Sequence, residues 1–156
     1  MSLLSVCQTE VVTIDRKSTL KSVAELMQKK HVGSVVVTDG FKGQRIPVGI
    51  ITDRDIALAI GSSAKPQDIV VEVIMYSHPI TVKTSDGIYE TIVRMREYGI
   101  KRLPVVMDDG SLYGIITADD LLVLMGKEIN NLAQIPETQM NHERGLRKPA
   151  EKHVSV

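Results

Sequence analysis

A seven-residue stretch occurs twice in this chain, and the duplication constrains the fold more than any other feature. Gly49-Ile50-Ile51-Thr52-Asp53-Arg54-Asp55 returns as Gly114-Ile115-Ile116-Thr117-Ala118-Asp119-Asp120. Each copy is a short apolar run, then Thr, two variable residues and Asp, followed by more apolar residues. That order predicts a buried strand running straight into a helix, with Thr at the junction. Thr-x-x-Asp is also a capping-box pattern, in which Thr accepts the N3 amide and the acid reaches back to the N-cap amide.

The self-similarity extends outward from the motif. Val11-Val12-Thr13-Ile14 matches Pro79-Ile80-Thr81-Val82 at an offset of 81 − 13 = 68, and His31-Val32 matches Gly99-Ile100 at the same offset. At Thr-x-x-Asp the offset falls to 117 − 52 = 65, so the first copy carries three extra residues. They belong in the Gly-rich loop 39–45, where the second copy turns with Asp108-Asp109-Gly110.

Each copy reads as β-α-β-β-α. Extended segments at Val11–Ile14 and Ile80–Val82 lead to helices whose apolar stripes are Leu20, Val23, Ala24, Met27 and Ile88, Ile92, Met95. Two strands follow in each: Ser34–Thr38 with Ile46–Ile51, and Leu103–Met107 with Leu112–Ile116. Pro104 lacks an N–H and is expected at a strand start or edge. The closing helices cover Ile56–Ile60 and Leu121–Met125, with Gly61 and Gly126 expected just past their ends as positive-φ caps. A short helix is expected at Asp68–Met75, and a weak apolar stripe (Ile129, Leu132, Ile135) at 128–135. The expected boundaries are 7–64 and 79–126 for the repeats and 65–78 for the linker. Residues 127–156 form a C-terminal helix and a polar tail. Neither copy is large enough to bury its apolar faces alone, so the two are expected to pack together in an α+β fold.

Charge narrows the function. Nineteen basic side chains balance nineteen acidic ones, and the aromatics are Phe41 and four tyrosines. A nucleic-acid binder normally shows a basic excess and stacking rings, so that class is set aside. No apolar run approaches the roughly 20 residues that span a bilayer, and no signal peptide is apparent. The single Cys7 gives no internal disulfide and suits a reducing cytosol. The histidines show no metal-ligand spacing, and neither a P-loop nor an activated nucleophile appears, so no catalytic residue is assigned.

Two ordered copies of this motif, each preceded by a helix and a Val-rich strand, resemble a tandem pair of CBS domains, a Bateman module. Val32-Gly33-Ser34-Val35-Val36-Val37, Ile100-Lys101-Arg102-Leu103-Pro104-Val105-Val106 and His78-Pro79-Ile80-Thr81-Val82 support the likeness over about Cys7–Gly126. The resemblance implies a regulatory module rather than an enzyme. Its sheets would join around a pseudo-twofold axis, leaving two clefts for adenosine-containing ligands. It also implies a homodimer, an output through an effector protein and no required cofactor; a cytoplasmic setting is expected from the lone cysteine and the lack of a signal peptide or spanning run.

By the family's cross-domain pattern, one cleft is expected to combine Thr117 and Asp120 with Ser18, Val32 and Gly33, and with Lys101 and Arg102 as phosphate-binding cations. The other is expected around Thr52 and Asp55, with Gly33 and Ser34 in place of the Lys-Arg pair and Arg54 supplying positive charge. Asp86 and Ile100 complete the set. Helix N-termini would add free N–H groups for phosphate, and the aspartates would accept ribose hydroxyls. Cations favour AMP, ADP or ATP over S-adenosylmethionine, whose sulfonium is positive; NAD ranks behind as well. On this reading the Asp120 cleft is the better site. A ligand-free scaffold, in which Thr-x-x-Asp only caps helices, is the alternative.

Overall fold

A computed structural model describes residues 3–41 and 43–146. In the first repeat β1 (Thr13–Asp15) pairs in parallel with β2 (Ser34–Phe41), the crossover being α1 (Leu20–Lys30). β2 turns back antiparallel into β3 (Gln44–Thr52), which runs into α2 (Asp53–Ser62). After a 3-10 turn at Pro66–Asp68 and α3 (Val71–Ile74), β4 (Tyr76–Ser77) adds to the free edge of β3. The second repeat repeats the order with β5 (Val82–Lys83), α4 (Ile88–Tyr98), β6 (Arg102–Val106), β7 (Leu112–Thr117) and α5 (Ala118–Leu146). The sheets read β1-β2-β3-β4 and β5-β6-β7. This is the expected α+β duplication. The three extra residues lengthen the β2–β3 hairpin, and the two hairpins bulge at equivalent places, Val37/Thr38 and Val105/Val106.

Each repeat has its own apolar core, and the predicted stripes face it except at Ala24 and Ile92, which are exposed. Leu20, Val23 and Met27 of α1 are buried against Val35, Val37 and Ile51. In the second repeat Met95 and Leu121 close over Leu103, Val105 and Ile116. Pro104 sits in the middle of β6, the central strand of its sheet, and not at the expected strand start or edge; opposite Ile115 it costs no ladder bond to β7. Ile115 instead exchanges both its backbone bonds, at 2.9 Å each, with Gln8 on its other side.

That Gln8–Ile115 bridge exposes an exchange between the repeats. Leu3 lies fully buried in the second core, although it precedes the first repeat. Val71, which precedes the second repeat, is fully buried in the first core. The two stand 71 − 3 = 68 residues apart, the repeat offset. Tyr76 pairs with Ile50 as Gln8 pairs with Ile115. Two glycines let these segments pass. A Cβ on Gly114 would sit 2.8 Å from the Gln8 carbonyl oxygen, and one on Gly49 would collide with the Met75 thioether.

Three further expectations need correction. Gly61 and Gly126 do not cap helices: α2 runs through Gly61 to Ser62, and α5 runs through Gly126 and Pro136 to Leu146. An interior Gly costs only about 1 kcal/mol against Ala, too little to end a helix alone. Pro136 removes one bond, to the Leu132 carbonyl, without stopping the chain. The left-handed caps stand elsewhere, at His31 (φ 54°) after α1 and at Gly99 (φ 62°) after α4, which are equivalent positions. The helix expected over Asp68–Met75 is broken by extended Ile69 and Val70, whose neighbourhood bonds the α1 entry. Leu20 N–H donates to the Ile69 carbonyl, and Val71 N–H donates to that of Ser18.

The chain divides into two units, one through Leu121 and one from Leu122 onward. In the second, Leu122, Ile129, Leu132 and Ile135 are exposed on α5. The polar tail expected beyond Pro136 is helical as far as Leu146; Arg147, Lys148, Glu151, Lys152 and His153 lie outside the described residues. No helix among the described residues is long and apolar enough to cross a membrane.

Candidate functional site

Both Thr-x-x-Asp motifs form complete capping boxes. The Asp55 carboxylate Oδ2 accepts from the Thr52 N–H at 2.8 Å and from its hydroxyl at 2.7 Å, while Thr52 Oγ1 accepts the Asp55 N–H at 3.3 Å. At the second corner the corresponding distances are 2.9, 2.6 and 3.1 Å. Asp53 N–H donates to the Gly33 carbonyl, and Ala118 N–H donates to that of Lys101, fastening each corner to the start of the strand beside it.

This bonding corrects one expectation. The first amides of α2 are not free for phosphate: Asp53 bonds Gly33, Arg54 bonds the Asp53 carboxylate at 2.8 Å, and Asp55 bonds Thr52. Charge at this corner must come from side chains.

The side chains assemble across the repeats. Thr52, Arg54 and Asp55 of the first repeat line a cavity of about 420 Å³ together with Ile100, Lys101 and Arg102 of the second. Lys101 therefore lines the Asp55 cavity and not, as expected, one at Asp120. Three cations face this cavity against one carboxylate, and none of the three makes an ion pair among the described residues. Asp55 Oδ1 likewise has no hydrogen-bond partner there, because both Thr52 bonds go to Oδ2. Tyr76, 61% exposed, and Ile80 supply a ring and an apolar wall.

The second corner opens on a cavity of about 170 Å³. Thr117 lines it with Val32, Gly33 and Ser34 of the first repeat, as the cross-repeat pattern expects for Val32 and Gly33. Ser34 faces this cavity rather than that of Asp55. Arg102 reaches both cavities, but here Glu10 lines the wall as well. The Asp120 carboxylate is held on its other oxygen by the Gln8 side-chain amide at 2.9 Å.

Ser18, Asp86 and Asp120 line neither cavity; of the second corner's Thr-Asp pair only Thr117 reaches the smaller one. Asp86 accepts from the Lys83 N–H at 3.0 Å and pairs with Arg94 at 3.4 Å, closing the turn before α4. Ser18 uses its backbone to hold α3 through Val71. Sequence reasoning missed Tyr76 and Gln8 as lining residues. The signal was available, since both stand at the 68-residue offset, three residues before the segments already matched.

Comparison with known proteins settles the family. A CBS domain model matches residues 4–62 and again 70–127. The chain belongs to the CBS domain family. Uncharacterized protein MK0525 of Methanopyrus kandleri is 34% identical over 123 residues, covering 78% of this chain and 61% of that protein. The CBS domain-containing protein YhcV of Bacillus subtilis is 28% identical over 86% of this chain and 91% of its own length. Homoserine O-acetyltransferase of Methanococcus vannielii is 30% identical over 70% of this chain, but the match spans only 22% of that enzyme.

Among solved structures, the CBS domain pair of protein MJ0100, in complex with 5′-methylthioadenosine and S-adenosylmethionine, superposes with a TM-score of 0.70. It shares 25% identity and is covered to 98%, against 82% of this chain. The CBS domain protein PAE2072 of Pyrobaculum aerophilum, complexed with AMP, also gives 0.70 at 26% identity, over 78% of this chain and 90% of its own.

Proposed function

We propose that this CBS pair is a regulatory module that binds an adenosine nucleotide in the Asp55 cleft. The observation that carries this reading is the convergence of Arg54, Lys101 and Arg102, which have no ion-pair partner among the described residues, opposite a carboxylate with one oxygen unbonded among them. Three cations suit a phosphate chain, Asp55 Oδ1 suits the ribose hydroxyls, and Tyr76 and Ile80 suit the purine ring. A volume of about 420 Å³ lies in the range of small-molecule sites. The AMP complex of PAE2072 supports the ligand class. AMP, ADP and ATP are preferred over S-adenosylmethionine, because a sulfonium would meet three like charges. Binding stabilises one arrangement of the two repeats, and the signal passes to a second copy or an effector protein.

Isothermal titration with AMP and ATP tests the assignment. Asp55→Asn is expected to weaken binding about ten- to hundredfold, the equivalent of losing a charged hydrogen bond of about 1.5–3 kcal/mol. Asp120→Asn is expected to leave the dissociation constant unchanged. Absence of binding to the unmodified protein would leave the scaffold reading, for which the two complete capping boxes speak.

A further inference from the structure

We propose that Gln8 holds the Asp120 corner closed, so that each chain accepts ligand at the Asp55 corner only. This rests on the nucleotide reading above and assigns the second corner a different state. The Gln8 backbone is fixed by two 2.9 Å bonds to Ile115 and lies against Gly114, where no side chain intervenes. From that fixed point its amide donates to Asp120 Oδ1 at 2.9 Å. The other oxygen, Oδ2, already accepts both the N–H and the hydroxyl of Thr117. Each oxygen of the carboxylate already has a partner, so a ribose reaching Oδ1 competes with Gln8 for it.

The first corner shows what the device removes. Tyr76 occupies the position equivalent to Gln8, paired through its backbone to Ile50, yet makes no bond to Asp55 among the described residues. One carboxylate oxygen stays open there, and the cavity is about 420 Å³ against about 170 Å³. Charge adds to the difference. Asp119 stands where the first corner has Arg54, and Glu10 lines the second cavity. A second corner freed of Gln8 therefore suits an uncharged nucleoside better than a nucleotide.

The test follows backbone amide shifts of the full-length ¹⁵N-labelled chain with AMP and with adenosine. In the wild type, saturating AMP is expected to move Thr52, Ile100 and Lys101 while Gly33, Ser34 and Thr117 stay in place. In Gln8→Ala, adenosine is expected to move Gly33, Ser34 and Thr117 as well. Gln8→Tyr, which copies the residue of the open corner, gives the same result if the alanine variant fails to fold. Shifts at both corners of the wild type overturn the closed corner. So does a second corner that stays unmoved in both variants. If neither corner moves in any protein, the nucleotide reading itself falls, and the closed corner with it.

Discussion

The Asp55 and Asp120 corners share a backbone and differ in chemistry. Strand end, capping box and helix start carry the same hydrogen bonds, down to the amide of the first helical residue bonding a carbonyl beside the neighbouring strand. Four of the positions at which they differ are Arg54 against Asp119, Tyr76 against Gln8, Lys101 against Gly33 and Arg102 against Ser34. All four lie at helix starts, strand starts or crossing segments, where exchange of a side chain leaves the core untouched. Duplication supplied two equal frames, and only one gathers Arg54, Lys101 and Arg102 around a cavity of about 420 Å³. Its cations come mainly from the other repeat, so the site exists only when both repeats are packed.

The comparison breaks most visibly at charge. Arg54→Asp, which gives the first corner the residue of the second, is expected to weaken ATP about ten- to hundredfold by titration calorimetry. The reverse change, Asp119→Arg, is expected to leave ATP affinity as it was while Gln8 is present. A gain of affinity there would refute the ranking of the corners.

Where the corners are alike, substitution is expected to act alike. Thr52→Ala and Thr117→Ala each remove the hydroxyl of a capping box and are expected to cost about 0.5–2 kcal/mol in urea unfolding. Unequal losses would show that the boxes differ in strain or burial. Saturating nucleotide adds about 2.7 kcal/mol at a hundred times the dissociation constant, a melting shift of several degrees. That shift is expected to survive Thr117→Ala and to shrink in Thr52→Ala.

The smallest effect concerns the crossing segments. Burial pushes the Cys7 thiol above its ordinary range, with Asp120 adding to the rise, whereas the equivalent Met75 does not titrate. The folded state therefore favours the protonated thiol. This contribution to stability is complete below the ordinary thiol pKa and is lost as pH rises through the folded value. Wild-type stability is expected to fall slightly more than that of Cys7→Ser between pH 8 and pH 10 in chemical denaturation. Identical slopes would mean that the thiol is open to water.

Much of this was legible in the residues. Periodicity placed the five elements of each repeat, the offset placed the extra residues in the β2–β3 hairpin, and Thr-x-x-Asp announced its caps. What escaped was contact between repeats. A one-dimensional pattern does not say which copy a strand start faces, so Lys101 was assigned to Asp120 although it lines the Asp55 cavity. The end of α5 escaped for a different reason. Gly126 carries a stop signal only where the backbone adopts positive φ, and here it does not. Leu3 escaped because nothing in a short apolar start says which of two similar cores it completes.

The crossing of Leu3 and Val71 also governs how the chain reaches its native state. The first core closes only after Val71 has been made, and the second waits for a residue more than a hundred positions earlier in the chain. Both cores thus depend on contacts between distant parts of the sequence, which slow folding by the loop entropy they must overcome. A cut between the repeats leaves each half with its neighbour's plug and without its own. Two such halves complete each other only by meeting, so the duplicated chain is built as a covalently joined dimer, and its two repeats are expected to melt together.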